Sequence, residues 1–504
     1  MSDKIIPAVT VSLANRLVND TLINVTCGTG YTRLTGITQA SIGLKFDSIA
    51  RVSGNYSSTC SDTGSLIILP APGQKVATIV WSAESDYDQT KGNAASDFSY
   101  KGEDPGPIVE ELTTSAASKS YEALLTGHVE DYIALMGSFT LDLPDTANSS
   151  GIETVSGHVE MKLTDLPPDP ASAAWMMLHV FDHYDYTRNI TWLADTGYPL
   201  LKSVASFWIS QLQEDLFTND GTLVVNPCNS PEQGPTTFGC THYQQLIHQV
   251  LEAVRATAPL VSEQDTDFVN SVDIKLSGLD TGLHIDPDST YGTGVLKEWK
   301  VPDSYLYNVY PQHRHLSHLV GWFPGYSICS FAEGYTNSTI QEAVRASLLA
   351  RGDGTDADGN GGNYGWPKVW RGACWARLND SARAYEELQL SVINNIAPNL
   401  LSMYSGKNPP FQIDMNFGWV GNVLSMLVVD LPLASGSVEG GRRTVVLGPA
   451  IPSAWGSGRV KGLRVRGGLV VDFDWDQEGR VVSKRVVSGD ATGSRFVDVQ
   501  GIEL

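Results

Sequence analysis

Asn226-Pro-Cys-Asn-Ser-Pro-Glu-Gln-Gly234, running on into Gly239-Cys-Thr-His-Tyr-Gln-Gln-Leu246, is the stretch around which the chain is organised. Its prolines and glycine make a turn-rich loop that carries one carboxylate, Glu232, and then opens a helix. Beyond it Leu246, Ile247, Val250, Leu251 and Val254 recur at i, i+4 and i+8, the mark of one buried helical face. Thr241 is placed to cap that helix. A lone loop glutamate is ordinarily solvated. The prolines, the glycine and the two cysteines packed around Glu232 point instead to a held geometry.

Outward from this stretch the chain reads β, then α, then β. Residues 1–112 hold short, β-branched runs such as Leu22-Ile-Asn-Val-Thr-Cys27, Ile42-Gly-Leu-Lys-Phe46 and Gln74-Lys-Val-Ala-Thr-Ile-Val-Trp81, separated by Gly, Ser and Asn. That pattern suits an antiparallel sandwich, and Asp104-Pro-Gly-Pro107 ends it. Residues 113–435 show helical stripes over 121–135, 171–186, 201–212, 340–348, 365–378, 381–393 and 416–430. Helix pairs joined by long polar loops suit a toroid with functional residues on one rim. Residues 436–504 return to alternating strands, as in Leu469-Val-Val-Asp-Phe-Asp-Trp475. One junction does not fit: around 145–171 a Pro-rich join replaces the helices that a closed double ring would need.

The chain has 504 residues and a net charge of −22, which argues against nucleic acid or an anionic membrane as partner. It has no apolar run near the length that spans a bilayer. Sequons at Asn19, Asn24, Asn55, Asn148, Asn189, Asn337 and Asn379 point to a secreted glycoprotein. No signal region follows Met1-Ser-Asp-Lys, so the expectation is an incomplete N-terminus. The six cysteines lack metal spacing. Cys228 could bridge Cys240 and Cys27 could reach Cys60; free buried thiols are the alternative.

Three further constellations carry chemistry. Asn408-Pro-Pro-Phe-Gln-Ile-Asp414 places Asp414 just before an amphipathic helix, where it is either an N-cap or a second functional acid. Gln312-His-Arg314-His315-Leu-Ser-His318 supplies donors suited to a hydroxyl-rich neutral ligand, and the arginine among the histidines argues against a metal. Gly365-Trp-Pro-Lys-Val-Trp370-Arg-Gly-Ala-Cys-Trp375 is rich in aromatics that are either helix core or pocket wall. Two carboxylates on separate loops, with Arg, His and Trp between them, are the equipment of a glycoside hydrolase.

These residues together resemble glycoside hydrolase family 95, the inverting α-L-fucosidases, and its fungal secreted members in particular. The resemblance runs through His128-x-x-Asp-Tyr132, Asn226-Pro-x-x-Ser-Pro-Glu232, Gly239-Cys-Thr with Gln244-Gln245, His313-Arg-His-Leu-Ser-His-Leu319, Gly365-Trp, Trp375-Ala-Arg-Leu378 and Pro409-Pro-Phe-Gln-Ile-Asp414-x-Asn-Phe-Gly418. It implies a sandwich, an (α/α)6 barrel and a C-terminal β-domain, with Glu232 as general acid. It implies that Asp414 polarises an asparagine pair holding the attacking water and that Arg314 and His315 contact sugar; the sequence itself gives no sign of a metal or organic cofactor. It further implies a fucosylated oligosaccharide or polysaccharide as substrate, most often α-1,2-linked. The family's Asn-x-Asn motif is missing from this chain, as is its Asn-Leu-Gln-Gly segment, and against the family the N-terminal β-sandwich is expected to be partial, its first part absent. Asn408 stands where the family often has His, and Met415 where it usually has Gly. The expectation is therefore a fucosidase sequence lacking an internal block near 145–171, with activity doubtful. The alternatives are a non-catalytic sugar-binding or inert remnant and, more weakly, a hydrolase acting on L-galactose or another close analogue of fucose.

Overall fold

In the computed structural model, strands and helices follow the β, α, β order of the sequence. The structure describes residues 8–14, 20–54, 56–71, 77–88, 91, 94–96, 99–136, 140–142, 171–289, 293–307, 309–355, 363–405, 411–433 and 442–504. Residues 145–170 of the join, the sequons at Asn19, Asn55 and Asn148, and Asn408 lie outside them. The chain divides into two compact units, Met1–Leu135 and Met136–Leu504.

The first unit holds β1 (Val9–Val11), β2 (Ile23–Gly28), β3 (Tyr31–Ile37), β4 (Lys45–Ser53), β5 (Tyr56–Cys60), β6 (Leu66–Pro70) and β7 (Thr78–Ser85), followed by helices α1 (Gly106–Ala117) and α2 (Tyr121–Met136). One sheet runs β1-β6-β5 and the other β2-β3-β4-β7, all antiparallel. The Cys27–Cys60 disulfide joins them. Asp47, Ser48, Ile49 and Ala50 of β4 are buried in succession rather than alternately. A strand covered on both faces loses the period-2 signature, and α1 packs on β4 and β7. That helix begins at the Pro-Gly-Pro break itself, with Pro107 in its first turn, where a missing N–H costs nothing.

The second unit opens with β8 (Thr140–Asp142), then α3 (Ala171–Thr187), the single turn α4 (Ile190–Trp192) and α5 (Tyr198–Gln211). Met177, Phe181 and Tyr184 of α3 and Leu201 and Trp208 of α5 are buried, as the stripes predict. Short hairpins follow that the sequence did not announce: β9 (Leu212–Glu214) with β10 (Leu223–Val225), and β11 (Cys228–Ser230) with β12 (Gln233–Thr237). Then come α6 (Thr241–Thr257), α7 (Thr266–Gly278), the pair β13 (Ile285–Asp286) and β14 (Val295–Leu296), α8 (Ser338–Arg351), α9 (Gly365–Arg377), α10 (Ser381–Asn395) and α11 (Asp414–Leu427).

Helix α6 is the centre of this unit. It is buried all round rather than on one face. Its polar side chains therefore hold neighbouring loops, since a buried amide must find partners. Gln244 accepts from Val225 N and donates to Leu223 O and Asp280 O. Gln245 accepts from Gly321 N and donates to Gly282 O and His318 O. Gln249 accepts from Tyr326 N and Ser327 N. Cys240, not Thr241, holds the N-cap position, and the Thr241 hydroxyl donates to Lys297 O instead.

Helix α11 ends at Leu427, and Val428–Asp430 is a strand (β15) rather than the helical continuation that its apolar residues suggested. With β16 (Arg443–Leu447), β17 (Gly458–Val465), β18 (Leu469–Trp475), β19 (Val481–Ser488) and β20 (Ser494–Val497) it builds the C-terminal β region. The sheets run β15-β16-β20 and β19-β18-β17-β8. Arg466, almost wholly buried, lies 2.7 Å from Asp182 and 3.1 Å from Asp185, fastening α3 to this region.

Candidate functional site

Glu232 stands at the tip of the β11–β12 hairpin, in the two-residue turn Pro231-Glu232 between the paired residues Ser230 and Gln233. Proline fixes the first turn position, and the second then takes a left-handed conformation. Glu232 has φ 74°. A side chain other than Gly or Asn is uncommon there, so the turn holds a glutamate against local preference. Gly234, with φ also 74°, has no such latitude. A Cβ there would meet the Trp299 ring at 2.4 Å. The Cys228–Cys240 disulfide ties the hairpin to the start of α6.

The Glu232 carboxylate meets two of the residues expected to contact sugar. Arg314 donates to its Oε2, and His315 Nε2 lies 3.8 Å from the same oxygen. The Glu232 side chain is 54% exposed, Arg314 and His315 only 15% each. The acid thus projects into solvent from a largely buried floor of one guanidinium and one imidazole. Burial pushes His315 down to about 2, with His313 and Arg314 adding to it. The ring is neutral at ordinary pH and offers a hydrogen bond rather than a charge.

Aromatic rings wall this group. Arg314 lies over Tyr364 at 5.5 Å, and Tyr364 packs on Tyr404 at 4.4 Å. His315 meets Trp366 edge-on at 5.0 Å, and Trp370 follows at 6.1 Å from Trp366. So Trp366 belongs to the wall, whereas Trp375 is buried core. His313, Arg314 and His315 lie on irregular backbone, and Ser317–Leu319 form a short 3-10 turn, so the histidines do not share a helix face.

Asp414 is not part of this contact group. It is the first residue of α11, where Ile413 holds the N-cap position and no side chain caps the helix. Among the described residues the Asp414 side chain makes no hydrogen bond or ion pair, so an exposed carboxylate stands where the cap reading expected an N-cap. It is linked to the site through the segment 400–405. Asn416 accepts from Ser402 N and donates to Leu400 O, while Gly365 N donates to Tyr404 O. His128 and Tyr132 face each other on α2, in the other unit.

The sequence reading passed over Glu298 and Arg351, which lie beneath the hairpin. Both are buried and paired at 2.5 Å. Ser230 donates to one Glu298 oxygen, and Gln233 donates to the other at 2.7 Å. Glutamate is so commonly exposed that a single Glu before Trp299 carries no signal of burial.

Comparison with known proteins agrees with these motifs. Residues 159–427 match the glycosyl hydrolase family 95 catalytic domain, and residues 441–499 the family's C-terminal domain. A protein of Aspergillus oryzae named "Probable alpha-fucosidase A" is 43% identical over 566 residues, covering 98% of this chain and 75% of its own length. One of the same name from Aspergillus niger is 36% identical, covering 96% and 74%. "Alpha-L-fucosidase 2" of Arabidopsis thaliana is 30% identical, covering 65% and 37%. A solved structure titled "Putative kojibiose phosphorylase from human microbiome" shares the fold at a TM-score of 0.53 and 9% identity, covering 99% of this chain and 77% of its own. The match to the Aspergillus oryzae protein is longer than the chain's 504 residues, so that relative has residues within the aligned stretch that this chain lacks. With both domains matched and the motifs in order, the chain belongs to glycoside hydrolase family 95, a family of glycosidases.

Proposed function

We propose that this chain engages terminal α-L-fucosyl units, mainly α-1,2-linked, through Arg314 and His315, with Glu232 as the general acid of an inverting site. The observation that carries the reading is the Glu232 carboxylate held against Arg314 and His315 on a turn that disfavours it. Arginine only donates hydrogen bonds, so its present contact keeps Glu232 as an acceptor. A sugar hydroxyl that takes over the guanidinium frees the carboxyl to carry a proton to the leaving oxygen. The ring wall of Tyr364, Tyr404 and Trp366 supplies apolar faces of the kind that receive a sugar's C–H surface.

The other half of an inverting reaction needs an activated water. The family resemblance assigns its polarisation to Asp414, acting through an Asn-x-Asn pair that is missing from this sequence. Turnover is therefore slowed by orders of magnitude, because positioned groups supply most of the barrier reduction. The helices of the second unit are read as an (α/α)6 toroid short of one block. The stronger rival is a remnant that binds sugar and never turns over. The match longer than the chain favours an internal loss of this kind. The disulfides and the exposed sequon residues Asn24, Asn189 and Asn337 support a secreted protein acting on extracellular glycans.

Calorimetric titration with 2′-fucosyllactose tests the reading. Binding by the chain, lost in Arg314→Ala and weakened in His315→Ala, is the expected result. Lactose binding as tightly as its fucosylated form would overturn it.

A further inference from the structure

We propose that the buried Glu298–Arg351 pair is the positioning device of this site, locking the Glu232 turn to the segment that carries Arg314 and His315. The inference rests on the reading of those three residues as the sugar-binding group. Glu298 reaches both strands of the hairpin, taking Ser230 before the turn and Gln233 after it. Arg351 pairs with the same carboxylate and donates to the carbonyls of Tyr310 at 3.3 Å and Pro311 at 2.7 Å. One ion pair thus grips both segments, close in sequence to the three functional side chains on each side. Two lesser links run parallel to it. Gln233 also accepts from Tyr310 N at 2.9 Å, and His313 Nε2 lies 3.3 Å from Pro231 O.

The backbone around Glu298 is tied to the start of α6, and Arg351 is carried on α8. Thr241 N donates to Glu298 O at 3.0 Å, and Lys300 N to Gly239 O at 3.1 Å. Lys300 Nζ is ion-paired with Asp215, Asp220 and Asp280 at 2.7, 2.7 and 3.0 Å. Arg351 is the last residue of α8. Buried ion pairs are weak contributors to stability, and their better-attested service is to fix one arrangement among several. Here the fixed quantity is the placement of an acid whose own turn is strained.

The experiment uses the full chain with Glu298→Gln, Arg351→Met, the double variant and Arg351→Lys. Hydrogen exchange is followed over residues 226–237 and 309–316, with α6 as internal reference. Affinity for 2′-fucosyllactose is measured alongside. Each single variant is expected to raise exchange in both segments while α6 is unchanged, and to weaken binding roughly tenfold. Arg351→Lys, which keeps the charge, is expected to recover part of that affinity. Exchange that rises in one segment only, or folded variants that bind like the parent, would overturn the proposal. Should a single variant fail to fold, the double variant, with no unpaired buried charge, decides by the same two readouts. A parent chain without affinity would sink the sugar-site reading, and the exchange data would still decide the role of the pair.

Discussion

Glu232 concentrates the strain of the site in one residue. Its left-handed backbone makes a direct prediction about stability. Glu232→Ala and Glu232→Gly both remove the carboxylate, so any difference between them isolates the backbone. Glycine adopts φ 74° freely and alanine does not. Glu232→Gly should be more stable than Glu232→Ala by about 1 kcal/mol in urea unfolding; equal stabilities would mean that the turn relaxes. His248 gives a second residue-level test. Burial holds its ring down at about 4, with Arg255 adding to it. Glu252, 3.9 Å away, does not offset this because Arg255 already occupies its carboxylate at 2.7 Å. Between the ordinary 6.5 and about 4 the unfolded chain takes a proton that the folded chain refuses, so stability falls as pH drops through that window. His248→Gln should flatten the acid side of the stability–pH curve by about one proton's worth. Of the residues in and beneath the site, Glu232, Arg314 and His315 were legible in the sequence because loop residues flanked by proline, cysteine and histidine announce themselves. Glu298 and Arg351 were not, because burial of a charge depends on a partner 53 residues away.

Elements whose apolar residues meet one neighbour followed the sequence closely, and those with other surroundings did not. The stripes in α3, α5 and α8 became buried faces as expected. Helix α7 gave no stripe because Val272 alone of its residues is fully buried. At the end of α11 the run Val423, Leu424, Leu427, Val428 looks continuous, yet Val428 begins a strand paired with Leu447. A switch from helix to strand within an apolar run leaves no local mark, since only the distant partner decides it. The loops between elements depend on buried charge. Lys300, with Asp215 and Asp280 also buried, joins three loops around β10. Lys300→Met should destabilise the chain by about 3–5 kcal/mol, because it strands two buried carboxylates without their cation. Chemical denaturation measures this, and a loss below about 1 kcal/mol would show that the loops are held by other means.

At the scale of the whole molecule, α2 leaves one apolar face exposed among the described residues. Tyr121, Leu125, Val129, Tyr132 and Ile133 are all exposed along it. A helix with this much apolar surface is ordinarily covered. The chain is also shorter than its aligned stretch with the Aspergillus oryzae protein. The longer alignment fits the proposed loss of a block near 145–171, which the sequence suggested only through a Pro-rich join and an absent Asn-x-Asn motif. Grafting that relative's corresponding block into this chain should lower binding of a hydrophobic dye and raise fucose release at least about 100-fold. Unchanged dye binding and release would show that the deficit lies elsewhere. The central claim is an acid side that is intact and a water-activating side that is broken. Fucose release from 2′-fucosyllactose by the chain as it stands, compared with Glu232→Ala, tests it most directly. The account predicts release no greater than that of the variant from folded, sugar-binding protein. Clear release that disappears in Glu232→Ala would contradict it, and would mean that another residue of this chain activates the water.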